Sequence, residues 1–240
     1  MSILGSPVGS KAHCESWVSA KLTNKLPILL DKIQQLGDPH SSFMLLLYCA
    51  SFCKIVWYIR TIPPELIQDS CVSFDTLVIN CFEFLIGCGL SPQSLQQASL
   101  CTKLGGVGLR SSKTHSAAAY LSFFLSTKHL IEMFLSKQPI NDHLSLALSS
   151  LNSLVSPNAQ LDLCSIPTSQ KQLSKLIDQE SFKTFSTQFG VLDKARLLCC
   201  AMPHASAWIR ALPTKQNKLS ASEWVISMNS PRTPLVCLQK

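Results

Sequence analysis

Two dipeptides, Asp38-Pro39 and Ser91-Pro92, constrain this chain more than any other feature. In each, a side chain able to accept a backbone N–H stands directly before a proline, whose missing N–H costs nothing at the first position of a helix. Each pair marks a helix start, and the apolar residues around them recur at helical spacing. Val18, Leu22, Leu26, Leu29, Ile33 and Leu36 lie three or four apart, which predicts an amphipathic helix over 16–36. Pro27 falls inside it. Either the helix kinks there, or a second helix begins near Asn24 and takes Pro27 into its first turn. Gly37 ends the segment.

From Asp38 a helix is expected through the apolar block ending at Cys53, with further turns over 54–61 stopped by Pro63-Pro64. A long, mostly buried helix follows over 65–86, closed by Gly87 and Gly89, and a shorter one runs from Ser91 to about Cys101. Ala117, Tyr120, Leu121 and Phe124 resume the helical period, and further helices are predicted over 169–189, 192–202, 205–212 and 220–228. Pro139, Pro157 and Pro167 mark linkers. Strand is confined to short segments near 2–8 and in the glycine-dense 104–110. The fold class is mainly α, an irregular multi-helix bundle. No repeat at a period of about 20–50 residues is present, so a solenoid is not supported.

The 240 residues, 46% of them hydrophobic, suffice to bury one large core or two modest ones. Only 15% are charged, against roughly 25% in an average soluble domain, so serine, threonine, amides and apolar atoms cover much of the surface. The N-terminal residues hold Ile3, Leu4 and Val8 as scattered aliphatics, not the run of about 7–15 apolar residues that a signal peptide needs. Eleven cysteines, odd in number and set in apolar stretches at Cys49, Cys53, Cys81 and Cys88, read as reduced core residues. No Asn-x-Ser/Thr acceptor is present. The expectation is intracellular, cytoplasmic or nuclear.

A membrane reading is raised by the apolar stretches 43–59 and 72–90. Lys54 interrupts the first, and Asp75 and Glu83 lie in the second; one charge at mid-span costs roughly 2.5–3.5 kcal/mol. Buried helices are expected instead, and no membrane partner. Cys237-Leu238-Gln239-Lys240 puts a cysteine where a prenylation box would, yet Gln239 and Lys240 fit one poorly.

Chemistry is sparse. Two-metal polymerases and nucleases gather carboxylates around paired ions, whereas the fourteen acids here include no adjacent aspartates and no metal-binding turn. Gly106-Val107-Gly108 is followed by Leu109, Arg110 and Ser111, so a dinucleotide fingerprint lacks its third glycine. A Walker loop, a Gly-x-Ser-x-Gly elbow and a His-Glu-x-x-His pair are absent. Cys49 with Cys53, and Cys199 and Cys200 with His204, lack the double Cys pair of structural zinc. His40, His115 and His129 read as surface or capping residues. No catalytic residue, metal ligand or cofactor is assigned.

Charge is uneven. Residues 1–60 carry six basic against three acidic side chains, and residues 191–240 seven against two. Such ends can face a polyanion or be ordinary solvated helix faces. Lys21, Lys25 and Lys32 fall within about 40° of one another on a helical wheel, a basic stripe beside the apolar face. Lys54 extends the basic set. Arg60, after Trp57 and Tyr58, and Arg110, beyond the glycines, suit bidentate phosphate contact or a structural salt bridge.

A set of phrases can be read together: Leu4-Gly5-Ser6-Pro7-Val8-Gly9, Leu36-Gly37-Asp38-Pro39-His40, and Lys54-Ile55-Val56-Trp57-Tyr58-Ile59-Arg60-Thr61. Gln97-Ala98-Ser99-Leu100, Leu104-Gly105-Gly106-Val107-Gly108-Leu109-Arg110-Ser111 and Ala195-Arg196-Leu197-Leu198 follow. The last is Pro203-His204-Ala205-Ser206-Ala207-Trp208-Ile209-Arg210-Ala211-Leu212-Pro213. Their order and spacing resemble the region just after the palm in reverse-transcriptase proteins of non-LTR (LINE-type) retrotransposons, over nearly the whole chain.

The resemblance implies that 1–10 is a remnant of the palm edge, 11–110 a thumb-like helical region and 111–240 a helical linker-like region. The segment around Arg210-Ala211-Leu212-Pro213-Thr214 is similar to a linker motif that lies near bound nucleic acid in that family. This adds His204, Arg210, Lys215 and Lys218 to the candidate contacts. The implied partners are RNA or DNA backbone and an upstream palm. The family's catalytic aspartates lie upstream of this region and match no residue here, so the expectation is a non-catalytic part. Relatives continue from a Pro-Leu-Cys-like phrase into a Cys/His cluster, whereas Pro234-Leu235-Val236-Cys237 is followed by three residues, so a truncated piece is expected. A different reading is a helical scaffold or self-associating protein, suggested by charge-poor helices and by Trp17, Trp57, Trp208 and Trp224.

Overall fold

A computed structural model describes residues 1–134 and 142–229 of the chain. Pro139, Arg232 and the phrase from Pro234 to Lys240 lie outside the described residues. The protein is mainly α. Its one sheet among the described residues is a hairpin of β1 (Ser2–Ile3) and β2 (Ser6–Pro7), antiparallel with Ser2 opposite Pro7. There follow α1 (Lys11–Gln34), α2 (Pro39–Leu45), a π-helical turn (Leu46–Ala50), a 3-10 turn (Phe52–Lys54), α3 (Val56–Thr61), a 3-10 turn (Pro64–Leu66) and α4 (Gln68–Ile86). Then come α5 (Pro92–Ser99), a 3-10 turn (Thr102–Leu104), α6 (Ser112–Phe134), α7 (Asp142–Asn152), α8 (Gln170–Thr187), α9 (Val191–Cys200), α10 (Ala207–Arg210) and α11 (Ala221–Asn229).

The two cap-then-proline signals form as their chemistry requires. Asp38 accepts from the Ser41 N–H at 3.3 Å and Ser91 from the Ser94 N–H at 3.1 Å, each with proline in the first turn. Pro27 does not divide α1, which runs through it. The buried stripe is Cys14, Val18, Leu22, Leu26, Leu30 and Ile33, so beyond Pro27 it takes Leu30 in place of Leu29, and Leu36 is exposed. The block expected as one helix to Cys53 is α2, then a π turn, then a 3-10 turn. The 104–110 segment contains no strand: Gly108 and Leu109 donate to Leu100 O and Ala98 O at 3.0 and 3.1 Å, folding it against the end of α5.

Contacts divide the chain into two compact units. The first comprises Met1–Thr23, Ile55–Asp75 and Ser112–Glu180. Its core includes Ala117, Ala118 and Leu121 of α6, Leu144, Ala147 and Leu151 of α7, and Leu173 and Ile177 of α8. The alanines leave α6 a shallow face that α3 and α7 approach closely. Asp75 holds the start of α6, accepting from Ser112 N–H at 2.8 Å and Ser112 Oγ at 2.7 Å. His115, expected as a surface or capping residue, is instead buried in α6 with Nε2 3.4 Å from Asp178 Oδ1 of α8. A buried carboxylate needs such a partner.

The second unit comprises Asn24–Lys54, Thr76–Ser111 and Ser181–Lys240. One part of its core is aromatic. Trp224 of α11 is fully buried, with Phe43 and Trp208 at ring distances of 5.3 and 6.1 Å, and Phe43 meets Phe82 of α4 at 5.6 Å. Another part joins Leu100, Phe185 and Leu197.

The cysteine expectation holds for Cys81 and fails at Cys49 and Cys53, which are exposed, while Cys88 is half-buried. All cysteines among the described residues are free thiols. Among those residues one stretch, Pro39–Thr61, is long and apolar enough to cross a membrane by length and composition, with mean hydropathy 1.7 and 44% of the span window buried. It is the stretch divided into α2, the two turns and α3.

Candidate nucleic-acid interface

The surplus of positive charge belongs to one unit. Among the described residues, the second unit holds eleven Lys and Arg against five acids, Asp31, Asp38, Glu83, Asp193 and Glu223. The first holds seven against nine. All five acids of the second unit are engaged inside it. Asp31 accepts from Gln35 Nε2 at 2.6 Å, Glu83 from Leu90 N–H at 2.7 Å and Glu223 from Ser220 Oγ at 2.7 Å. Asp193 pairs with Arg196 at 3.0 Å and Asp38 with Lys218 at 2.9 Å.

The candidates expected from sequence distribute unevenly. Lys21 and Arg60 lie in the first unit and the other eight in the second. Arg60 is already committed: its Nε and Nη2 donate to Gln170 Oε1 at 2.8 and 2.6 Å, tying α3 to the start of α8. The partner is an amide rather than the carboxylate of the salt bridge considered from sequence. Lys21 Nζ stands 5.2 Å over the Trp17 ring, exposed on α1. In the second unit, Lys25 and Lys32 are exposed on the same helix, and Lys54 is exposed at the end of the 3-10 turn. Arg110 lies 5.5 Å over the Phe52 ring.

The segment from Ala207 to Leu219 is where sequence-distant residues converge. His40 is 1% exposed, not a surface residue. Its ring stacks on Trp224 at 5.2 Å, Nε2 donates to Ala211 O at 3.1 Å, and Nδ1 accepts from Leu219 N–H at 3.4 Å. Both hydrogen bonds together require the neutral ring protonated at Nε2. His40 thus pins both ends of the basic loop that follows α10 to the start of α2. Asp38, two residues earlier, adds the Lys218 pair.

Burial alone pushes the Asp38 carboxyl up. Hydrogen bonds from Ser41 Oγ, Lys218 Nζ and Ser41 N–H outweigh it, so Asp38 ends below the usual carboxylate range. Within the pinned loop, Thr214 and Asn217 close a turn, with Thr214 N–H to Asn217 Oδ1 at 2.6 Å. Arg210 and Lys215 are exposed and make no hydrogen bond or ion pair with the described residues. His204 sits in the preceding turn with φ +67°, exposed.

Sequence reasoning missed His40 and Trp224 as organisers of this loop, because their partners lie more than 170 residues away in the chain. The available signal was the Asp38-Pro39-His40 order, which fixes where a helix start is but not what covers it. Among the described residues no group of three or more His, Cys, Asp or Glu side chains converges as a metal-ligand set. Comparison with models of protein families, with curated proteins and with solved structures finds no match to this chain.

Proposed function

We propose that this chain is the non-catalytic helical part of a retrotransposon reverse-transcriptase protein, holding template RNA and primed DNA beside a palm carried upstream. On this reading 1–10 is the palm-edge remnant, 11–110 the thumb-like region and 111–240 the linker-like region. The observation that carries it is the charge of the second unit, whose described residues hold eleven basic groups to five internally engaged acids. Lys25, Lys32, Lys54, Arg210 and Lys215 are all exposed. Flexible cations facing a phosphate backbone give affinity by releasing counterions and read no sequence.

The test is fluorescence anisotropy with a labelled RNA–DNA hybrid. Replacing Arg210 and Lys215 together by glutamate is expected to weaken binding on every sequence and to lower the salt slope by about 2, roughly one for each phosphate left without its cation. Unchanged affinity and slope would overturn the reading.

A second reading, a helical partner-binding or self-associating protein, is favoured by α9. Val191 is 86% exposed and Met202, just beyond the helix, 62%; with Ala195 and Leu198 they form an outward stripe spaced four, three and four. Sedimentation at low and high salt separates the two readings: salt-independent oligomers with no retained RNA support the second.

A further inference from the structure

We propose that the π-helical turn of the second unit presents a stacking ledge for an unpaired base, with Tyr48 as the platform and the exposed Lys54 on the turn that follows for the phosphate. The ligand class is single-stranded RNA or DNA; the inference rests on the nucleic-acid reading above and narrows it to unpaired strands.

The geometry begins with backbone. Leu46–Ala50 closes i→i+5 bonds, a wide turn that is rare in proteins and concentrated at functional sites. Leu46 and Ala50 point into the core at 0% exposure, while Tyr48 is left 54% exposed beside an exposed Cys49. The Tyr48 side chain makes no aromatic contact with the described residues, so its exposed part is available for stacking.

Two basic side chains belong to segments that adjoin the turn. Lys54 is exposed at the end of the next turn. Arg110 is brought in by the glycine phrase: Gly108 lies against the π turn, a Cβ there falling 3.7 Å from Leu47 Cδ1, and two residues on the Arg110 guanidinium stands 5.5 Å over Phe52. An exposed aromatic, an arginine over a second aromatic and an exposed lysine, in a unit whose described residues hold eleven basic groups to five acids, are the kinds of part that bind unpaired strands: nucleobases stack and cations track the backbone. A duplex keeps its bases stacked internally and has no free face to give the ring.

The experiment compares full-length wild type, Tyr48→Ala and Tyr48→Phe on three probes: a fifteen-nucleotide single strand, the same strand with abasic sites, and a blunt duplex of equal length. Expected results are a roughly ten- to hundredfold weaker single-strand affinity for Tyr48→Ala, near-wild-type affinity for Tyr48→Phe, and little change on duplex. The abasic strand should bind wild type as weakly as the normal strand binds Tyr48→Ala, a comparison that needs no folded variant. If wild type binds the strands but neither the abasic probe nor Tyr48→Ala differs, the ledge is wrong while nucleic-acid binding stands. If wild type binds no nucleic acid at all, both are overturned.

Discussion

Gly106→Ala tests whether the glycine phrase is held by close approach. A Cβ at 106 would lie 2.5 Å from the Gln97 carbonyl oxygen and closer still to that of Leu100, both backbone atoms with nowhere to swing. Relief requires the 105–109 segment to move outward by about an ångström. That movement strains three bonds: Gly108 N–H to Leu100 O at 3.0 Å, Leu109 N–H to Ala98 O at 3.1 Å, and Gln97 Nε2 to Gly105 O at 3.1 Å. At about 1 kcal/mol each, with partial unpacking of the buried Leu100, Val107 and Leu109, the loss is about 3–5 kcal/mol.

Two controls separate crowding from backbone conformation. Gly37→Ala meets no atom within 4 Å but has φ +64°, so it costs about 1–2 kcal/mol from conformation alone. Gly190→Ala meets no atom within 4 Å and has an ordinary φ, so the unfolded-state gain and the poorer N-cap of α9 nearly cancel and the change stays within about 0.5 kcal/mol. Urea unfolding followed by tryptophan fluorescence measures all three. A Gly106→Ala midpoint equal to that of Gly37→Ala would refute the close-approach argument.

Arg60→Ala should cost about 1 kcal/mol of stability by removing the two hydrogen bonds to Gln170, discounted for partial exposure, while RNA affinity stays within about twofold; a selective loss of affinity would return Arg60 to the interface. The lowered Asp38 carboxyl contributes stability above its unfolded range that is lost as pH falls below about 4 and through the folded value. Urea midpoints at pH 7 and pH 3 should therefore differ less for Asp38→Ala than for wild type; equal differences contradict the pair with Lys218. Burial pushes Cys71 up to about 12 and Cys81 to about 11. Their unfolded forms ionise first, so stability should fall once pH exceeds about 8.5, by up to about 1.4 kcal/mol per pH unit for each thiol. Mass spectrometry after brief alkylation should find Cys49, Cys53, Cys164 and Cys199 modified and Cys14, Cys71 and Cys81 protected; labelling of Cys71 in folded protein would contradict its burial.

Local chemistry was legible in the sequence wherever one residue's neighbours decide its role. Asp38-Pro39 and Ser91-Pro92 start helices because cap and proline act within one turn. The strand expected near 2–8 forms as the hairpin at 2–7, whose turn holds Gly5 at φ +81°. Faces were harder to read. Between Phe43 and Ile59 nearly every residue is apolar, so periodicity could not distinguish the buried Leu46 and Ala50 from the exposed Tyr48 and Cys49. A π turn, which shifts the phase of the helix, leaves no mark in such a run.

Long-range burial was not legible either. His40 and His115 sit on helices like any polar residue until α11 and the loop before it cover the first, and α8 the second. Nothing in the phrase around Arg60 announces its partner Gln170, 110 residues on. Of the candidate interface, the basic residues could be named in advance; which unit collects them, and that His40 pins their loop, could not.

The most direct test is the salt dependence of affinity for a single strand. If Lys25, Lys32, Lys54, Arg210 and Lys215 all meet phosphates, the logarithmic slope approaches about −3.5, a loss of about a hundredfold between 50 and 200 mM salt. Binding that is independent of salt across that range, or absent at its lower end, would contradict the claim that this basic unit grips a nucleic-acid backbone.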